Sequence, residues 1–200
     1  MLERRSALET VIAAGGRDGA DGRRACRLGE IRGWWLVQLA GFAWTMAEVE
    51  RALAPALGGR LPARVGETAE LEGRLVLRTG PEQVWVVGRE GDPAAASLLE
   101  LLSPATGAAT PLSHSRTRIL VDGRPARAVL AKGIPLDLHP EVFAVGQAGL
   151  TGLHHTPVLL YRAAEDRYEV WAMRSFALTC WEWLADSALE FGYDTATEQA

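Results

Sequence analysis

The sequence predicts an α+β fold made of two β/α repeats of about 84 residues that share one core. Three observations carry this. Strand-like runs are joined by tight hairpins rather than βαβ crossovers, which points to antiparallel or mixed sheets. Four helical segments bring their own start and stop signals. A shift of about 84 residues superposes the first half on the second. Under it Leu28, Arg32, Leu36 and Val37 fall on Leu112, Arg116, Leu120 and Val121. Leu75, Val76 and Arg78 fall on Leu159, Leu160 and Arg162. Only a short insertion near Gly41 breaks the register.

Residues 1–22 read as a flexible arm, because 15–22 is rich in Gly and Asp and has no periodicity. A single domain is expected over 23–195, with repeats at 23–107 and 108–192 and a tail at 196–200. Strands are predicted at 24–28 and 34–39. A helix over 46–57 follows, with Thr45 and Glu48 as a capping box. Met46, Val49, Leu53 and Leu57 share one face, and Gly58-Gly59 stops it. Strands at 71–79 and 84–88 meet in a hairpin at 78–82. The helix over 93–102 has Asp92 as cap and Pro93 in its first position, and Ser103-Pro104 ends it. A strand at 117–121 precedes a helix over 125–132, opened by Pro125 and closed by Gly133. Strands at 152–162 and 167–173 form a second hairpin around 163–166. The last helix, over 176–191, has Ser175 as N-cap and Gly192 beyond its end. Its apolar face is Ala177, Trp181, Leu184 and Ala188, with Cys180 and Phe191 beside it.

Composition narrows the function classes. With 200 residues and 48% apolar content, the chain can bury a core without a metal or disulfide staple. A net charge of −4 and a pI near 5.6 argue against a nucleic-acid partner. No run reaches the ~18 apolar residues of a membrane span, and Met1–Leu8 lacks the apolar centre of a secretory signal. The expected compartment is the cytoplasm. Cys26 and Cys180 stand far apart without a C-x-x-C and read as small buried hydrophobes. Lys132 is the only lysine among 21 basic residues, and seven Trp outnumber three Tyr and four Phe.

A search for chemistry assigns no catalytic, cofactor-binding or metal-ligating residue. There is no G-x-G-x-x-G after a strand, no P-loop and no G-x-S-x-G elbow. Ser113 and His114 are adjacent, so on a strand they point to opposite faces and cannot act as nucleophile and base. On a strand His154 and His155 diverge in the same way, whereas a metal needs converging ligands; one buried and one exposed His is expected. Glu30, Asp122, Asp137 and Glu169 follow no pairing rule and read as solvated.

Several runs resemble the gamma subunit of heterotetrameric sarcosine oxidase. They are Leu112-Ser113-His114-Ser115-Arg116-Thr117, the stretch from Val129 to Pro140 with its Leu-Ala-Lys-Gly and Leu-Asp-Leu, and Arg174–Asp186 with its Arg-Ser-Phe-Ala and Trp-Glu-Trp-Leu. Arg5-Ser6-Ala7-Leu8, Gly80–Trp85 and Glu190-Phe191-Gly192 fit the same family, while Pro111 stands where the family pattern leads one to expect an acidic residue. The resemblance implies a fold like the folate-binding domain of glycine-cleavage aminomethyltransferases, with two swapped β/α repeats. It implies a subunit of a complex that oxidatively demethylates sarcosine to glycine, with hydrogen peroxide and methylene-tetrahydrofolate formed alongside. Alpha, beta and delta subunits are the implied partners. FAD, FMN, NAD and zinc are expected on those other subunits, with tetrahydrofolate as one-carbon acceptor and no cofactor on this chain.

The role so implied is structural, docking toward the alpha subunit. Trp183 lies off the face defined by Trp181 and Leu184, so it either packs on a neighbouring strand or anchors a partner. Arg116 and Arg174 are the candidate polar anchors. Two alternatives stay open: a free-standing folate-binding protein, and a gamma subunit of a complex acting on another N-methyl amino acid.

Overall fold

The computed structural model describes residues 5–200. The chain divides into two compact units. One comprises residues up to Arg32, Ser115–Val145 and Leu150–Gln199; the other comprises Gly33–His114 and Gly146–Gly149.

The first unit carries α1 (Glu9–Ala13), β1 (Cys26–Arg32), β7 (Arg116–Asp122), α4 (Ala126–Ala131), most of β8 (Ala148–Leu153), β9 (Thr156–Ala164), β10 (Arg167–Met173), a 3₁₀ turn at Arg174–Phe176, α5 (Ala177–Ala188) and β11 (Tyr193–Gln199). The strand order is β11-β1-β7-β10-β9-β8. β1, β7, β10 and β9 are antiparallel neighbours, and β11 runs parallel to β1. Strand alternation sends Leu28, Ile119, Val121, Leu160, Tyr168 and Val170 to the face covered by α4 and α5. There they meet Val129, Leu130, Cys180, Trp181 and Leu184, which recur at helical spacing. Side chains of the opposite face, among them Arg118, Leu120, Glu169 and Trp171, are buried as well. Gly192 ends α5 at φ 66°, and the Lys132 ammonium donates to the Ser187 carbonyl at 2.7 Å near the helix C-terminus.

The second unit carries β2 (Trp34–Gly41), α2 (Met46–Ala56), β3 (Thr68–Leu71), β4 (Arg74–Gly80), β5 (Gln83–Arg89), α3 (Ala94–Leu99) and β6 (Gly107–Pro111). Its strand order is β3-β4-β5-β2-β6. Set β11 aside and the two orders coincide, with β1, β7, β10, β9 and β8 standing where β6, β2, β5, β4 and β3 stand. The repeat read from the sequence is therefore a repeat of topology, with the first strands exchanged. β1 opens the first half but pairs with β7; β6 opens the second half but pairs with β2.

Equivalent residues do equivalent work. Arg78 donates to the carbonyls of Gly80 and Pro81 and so ties the β4–β5 turn. Arg162 donates to the carbonyls of Glu165 and Phe143 and ties the β9–β10 turn. The two hairpin tryptophans stand two places apart under this equivalence: Trp85, opposite Gln38, donates to it at 3.0 Å, and Trp171, opposite Arg118, has that guanidinium 4.6 Å from its indole centroid.

The four predicted helices and both hairpins are present. Several local expectations are corrected. The stretch read as a featureless arm contains α1, with Leu8 fully buried in the helix-side cluster and Arg17 bridging Tyr193. The predicted tail lies mostly in β11. β6 and most of β3 and β8 lie in segments the sequence left between its elements. Thr45 forms no capping box: its hydroxyl accepts from the Phe42 N–H at 2.8 Å and donates to the Thr106 carbonyl at 2.6 Å. Asp92 does cap, accepting from the Ala94 N–H at 3.0 Å. Ser175 forms no side-chain cap because the 3₁₀ turn leads directly into α5. Glu30 and Glu169 are buried and paired rather than solvated. Ser6 and Arg32 donate to Glu30, and Arg118 and Trp171 donate to Glu169.

Candidate docking face

The three residues singled out from the sequence lie in the first unit. Arg116 opens β7 opposite Met173, the last residue of β10, so Arg116 and Arg174 come to one end of the sheet. Ser115 joins them. Its carbonyl accepts from the Arg174 N–H at 2.9 Å and from the Arg116 guanidinium at 3.4 Å. The Arg174 side chain reaches back to the carbonyl of Arg5, which fastens the N-terminal Arg5–Leu8 motif there. Burial pushes the Arg116 guanidinium below its ordinary pKa.

Trp183 is held apart from this pair by a device of its own. Two residues beyond Trp181, it is turned about 200° around the helix and faces away from the core. It remains 42% exposed. Its ring stacks on His154, with centroids 3.6 Å apart and planes 30° from parallel. His154 sits in the turn between β8 and β9 rather than on a strand, at φ 52°, a left-handed conformation that side chains other than Gly seldom adopt. Its N–H donates to the Gly133 carbonyl at 2.8 Å. A β-carbon on Gly133 would lie 2.9 Å from His154 Nε2, so glycine is needed here for the close approach of the ring. His154 is thus half-buried against the indole, and His155 alone is exposed. The β8–β9 turn enters β9 beside the end of β10, because Val158 pairs with Ala172; stack and arginines share that end of the sheet.

Met173, Phe176 and Leu178 extend this surface as exposed apolar side chains around the 3₁₀ turn and the start of α5. A half-exposed, pre-oriented Trp with apolar neighbours and arginines beside it has the composition of an interface centre.

Other sequence features fall out of the site. Ser113 and His114 lie in the β6–β7 turn, not on a strand, and the Ser113 hydroxyl accepts from the Leu36 N–H at 2.9 Å. Asp137 is exposed and accepts from the His139 N–H, and Asp122 is salt-bridged to Arg27 and Arg167. Cys26 and Cys180 are buried free thiols, each pushed up to about 11 by burial. Among the described residues no group of three His, Cys, Asp or Glu side chains converges as a metal site, and no helix is long and apolar enough to cross a membrane. A groove of about 290 Å³ between α1 and α5 is walled by Val11, Trp181 and Tyr193 and rimmed by Arg17, Glu182 and Asp186.

The class of protein follows first. Two α/β units with exchanged first strands share the fold of an aminomethyltransferase. Aminomethyltransferase T of the glycine cleavage system from Bartonella henselae superposes with a TM-score of 0.61 over 88% of this chain and 48% of its own, at 18% identity. The particular family is shown by sequence. The profile of the sarcosine oxidase, gamma subunit family matches residues 44–190, and the chain belongs to that family. Sarcosine oxidase subunit gamma from an Arthrobacter species is 39% identical over 72% of this chain and 71% of its own. The like-named protein of Corynebacterium strain U-96 is 34% identical over 94% and 91%. A chain of the solved heterotetrameric sarcosine oxidase from Corynebacterium U-96, in complex with pyrrole 2-carboxylate, superposes with a TM-score of 0.83 over 94% of this chain and 96% of that one, at 32% identity.

Proposed function

We propose that this chain is the gamma subunit of a sarcosine oxidase complex and that its own contribution is to dock. The complex oxidises sarcosine to glycine: molecular oxygen leaves as hydrogen peroxide, and the methyl carbon passes to tetrahydrofolate as the methylene group. The reacting groups, the flavins, NAD and zinc belong to the alpha, beta and delta subunits, and the compartment is the cytoplasm. The carrying observation is the near full-length match to a chain of a heterotetrameric sarcosine oxidase. The surface around Trp183, Arg116 and Arg174 supports it as the face that meets the alpha subunit.

What these residues contribute is pre-orientation. The Trp183 ring is held by His154 before any partner arrives, so little rotamer entropy is lost on binding. The test is co-expression with the three other subunits, with an affinity tag on this chain. Stoichiometric recovery of all four is expected, and Trp183→Ala should cut the retained alpha subunit at least ~30-fold, the weakening of a ~2 kcal/mol hot spot. Recovery of the tagged chain without partners would overturn the proposal.

A further inference from the structure

We infer that the exposed aromatic pair Phe42–Trp44, in the unit that does not carry Trp183, is a second docking surface, and that it receives an arginine-bearing segment of another subunit of the complex. The inference rests on the docking role proposed above and adds a surface and a partner chemistry to it.

Trp44 is 79% exposed, the largest exposure among the exposed large hydrophobic side chains, and Phe42 is exposed beside it. The two rings lie 5.1 Å apart and 9° from parallel, so they form one flat platform rather than two loose side chains. The platform is built in. Thr45, itself buried, accepts from the Phe42 N–H at 2.8 Å and donates to the Thr106 carbonyl at 2.6 Å, while its own N–H returns to the Phe42 carbonyl at 3.0 Å. The Gly41 N–H is held by the Glu82 carbonyl at 3.0 Å. A four-residue connection, 42–45, is thereby closed at both ends around two outward-facing rings.

The fold itself does not ask for these rings. In the other repeat the equivalent connection, between β7 and α4, is Gly123-Arg124-Pro125 and completes the same topology without an aromatic residue. The platform occupies the insertion that interrupts the repeat register near Gly41. Large exposed aromatic surface of this kind marks recognition rather than stability.

Charge selects the partner. Glu48 lies in the first turn of α2, directly after the platform, and is exposed; Glu82 adjoins it across the Gly41 hydrogen bond. Neither carboxylate is engaged by a described side chain, whereas the nearby Glu50 is taken by Arg78. Flat π-faces with acidic residues in the adjoining turn and helix suit a guanidinium, which stacks on aromatic rings and pairs with carboxylates at once. A lysine would gain the charge but lack the planar stack.

The test uses the co-expressed complex. A tagged variant and a differently tagged wild-type chain compete for the other three subunits, and their ratio in the assembled complex is read by quantitative mass spectrometry. Trp44→Ala is expected to be under-represented at least ~30-fold, as for a loss at an interface hot spot. Trp44→Phe should stay within about threefold of wild type, because it keeps a ring. The double variant Glu48→Lys with Glu82→Lys should be excluded more strongly at low than at high salt. Chain yield and circular dichroism check folding, which an exposed ring does not determine. Equal incorporation of Trp44→Ala, with Trp183→Ala still excluded, overturns this inference and leaves the docking role standing. Equal incorporation of the double variant overturns the arginine partner. Loss of self-association of this chain, in place of loss of complex, would assign the platform to a second copy and overturn the inference. Failure of the wild-type chain to recover any partner overturns both readings.

Discussion

Replacing Glu169 by Gln should be among the most damaging single changes in this chain. The carboxylate is 4% exposed and its partner Arg118 8%. Arg118 Nε donates to it at 3.1 Å and Nη2 at 2.9 and 2.8 Å, and Trp171 Nε1 donates at 3.2 Å. Glutamine keeps one acceptor oxygen but sets an NH2 against the donors in place of the other, so about two charge-assisted contacts are lost, at ~1.5–2 kcal/mol each about 3–4 kcal/mol. That agrees with the ~3–5 kcal/mol typical of breaking a buried pair, where the dominant cost is the charge left without a counter-ion. For a chain of this length each kcal/mol lowers Tm by roughly 2–4 °C, so a fall of about 10 °C is expected. The assay is a urea titration of the purified chain read by far-ultraviolet circular dichroism, with Arg118→Met/Glu169→Met as companion. Because desolvation offsets most of the attraction of a buried pair, the double variant should lie within about 1 kcal/mol of wild type or above it. A loss below ~1 kcal/mol for Glu169→Gln, or a double variant less stable than the single, would refute the reasoning.

Arg162→Met should cost ~2–4 kcal/mol in the same titration, since it strands the Phe143 and Glu165 carbonyls that its guanidinium holds. The two buried thiols give a pH dependence. Their folded pKa is raised from 9.0 to about 11, so their contribution is complete below about pH 9 and fades as pH rises toward 11, by roughly 2–3 kcal/mol for each thiol. Stability measured from pH 8 to 11 should fall accordingly, less so in Cys26→Ala/Cys180→Ala, and the native thiols should resist an aromatic disulfide reagent at pH 8. Gly133→Ala drives a methyl into the His154 ring, so partner retention should drop as far as it does for His154→Ala while the unfolding free energy from the urea titration changes by under about 1.5 kcal/mol.

What the sequence made legible was whatever is written locally. Asp92-Pro93 before α3, Gly192 after α5 and Gly80-Pro81 between β4 and β5 each fix backbone geometry within a few residues, and those elements are found where they were read. β6 and β11 were not legible. Gly107-Ala-Ala-Thr-Pro111 and the polar Asp194–Gln199 run have no strand pattern of their own, and become strands because β2 and β1 offer them a buried edge. Glu169 looked solvated for the same reason. Its partner lies 51 residues away, and only the antiparallel register of β7 with β10 brings the two together. Leu8 and Ser6 likewise depend on distant groups, the helix-side cluster and Glu30.

The candidate surface divides along the same line. Trp183 could be placed outside the core from helical phase alone, but the ring that holds it could not, because His154 owes its position to a left-handed turn and to the absence of a β-carbon on Gly133. The tryptophans then separate what the repeats share from what they do not. Trp34, Trp35, Trp85, Trp171 and Trp181 are buried, and Trp85 and Trp171 lie on equivalent strands, two places apart, each opposite a polar residue. Trp44 and Trp183 are exposed, and neither has an aromatic counterpart in the other repeat: Trp44 faces the Gly123-Arg124-Pro125 connection, and Trp183 corresponds to Leu99 under the shift of about 84 residues. Features common to both repeats, such as the Arg78 and Arg162 turn clamps, serve the fold that duplication supplied. Exposed aromatic rings present in one repeat only, each locked by a device the other lacks, are not required by that shared fold, and this asymmetry is what supports the docking role proposed for them.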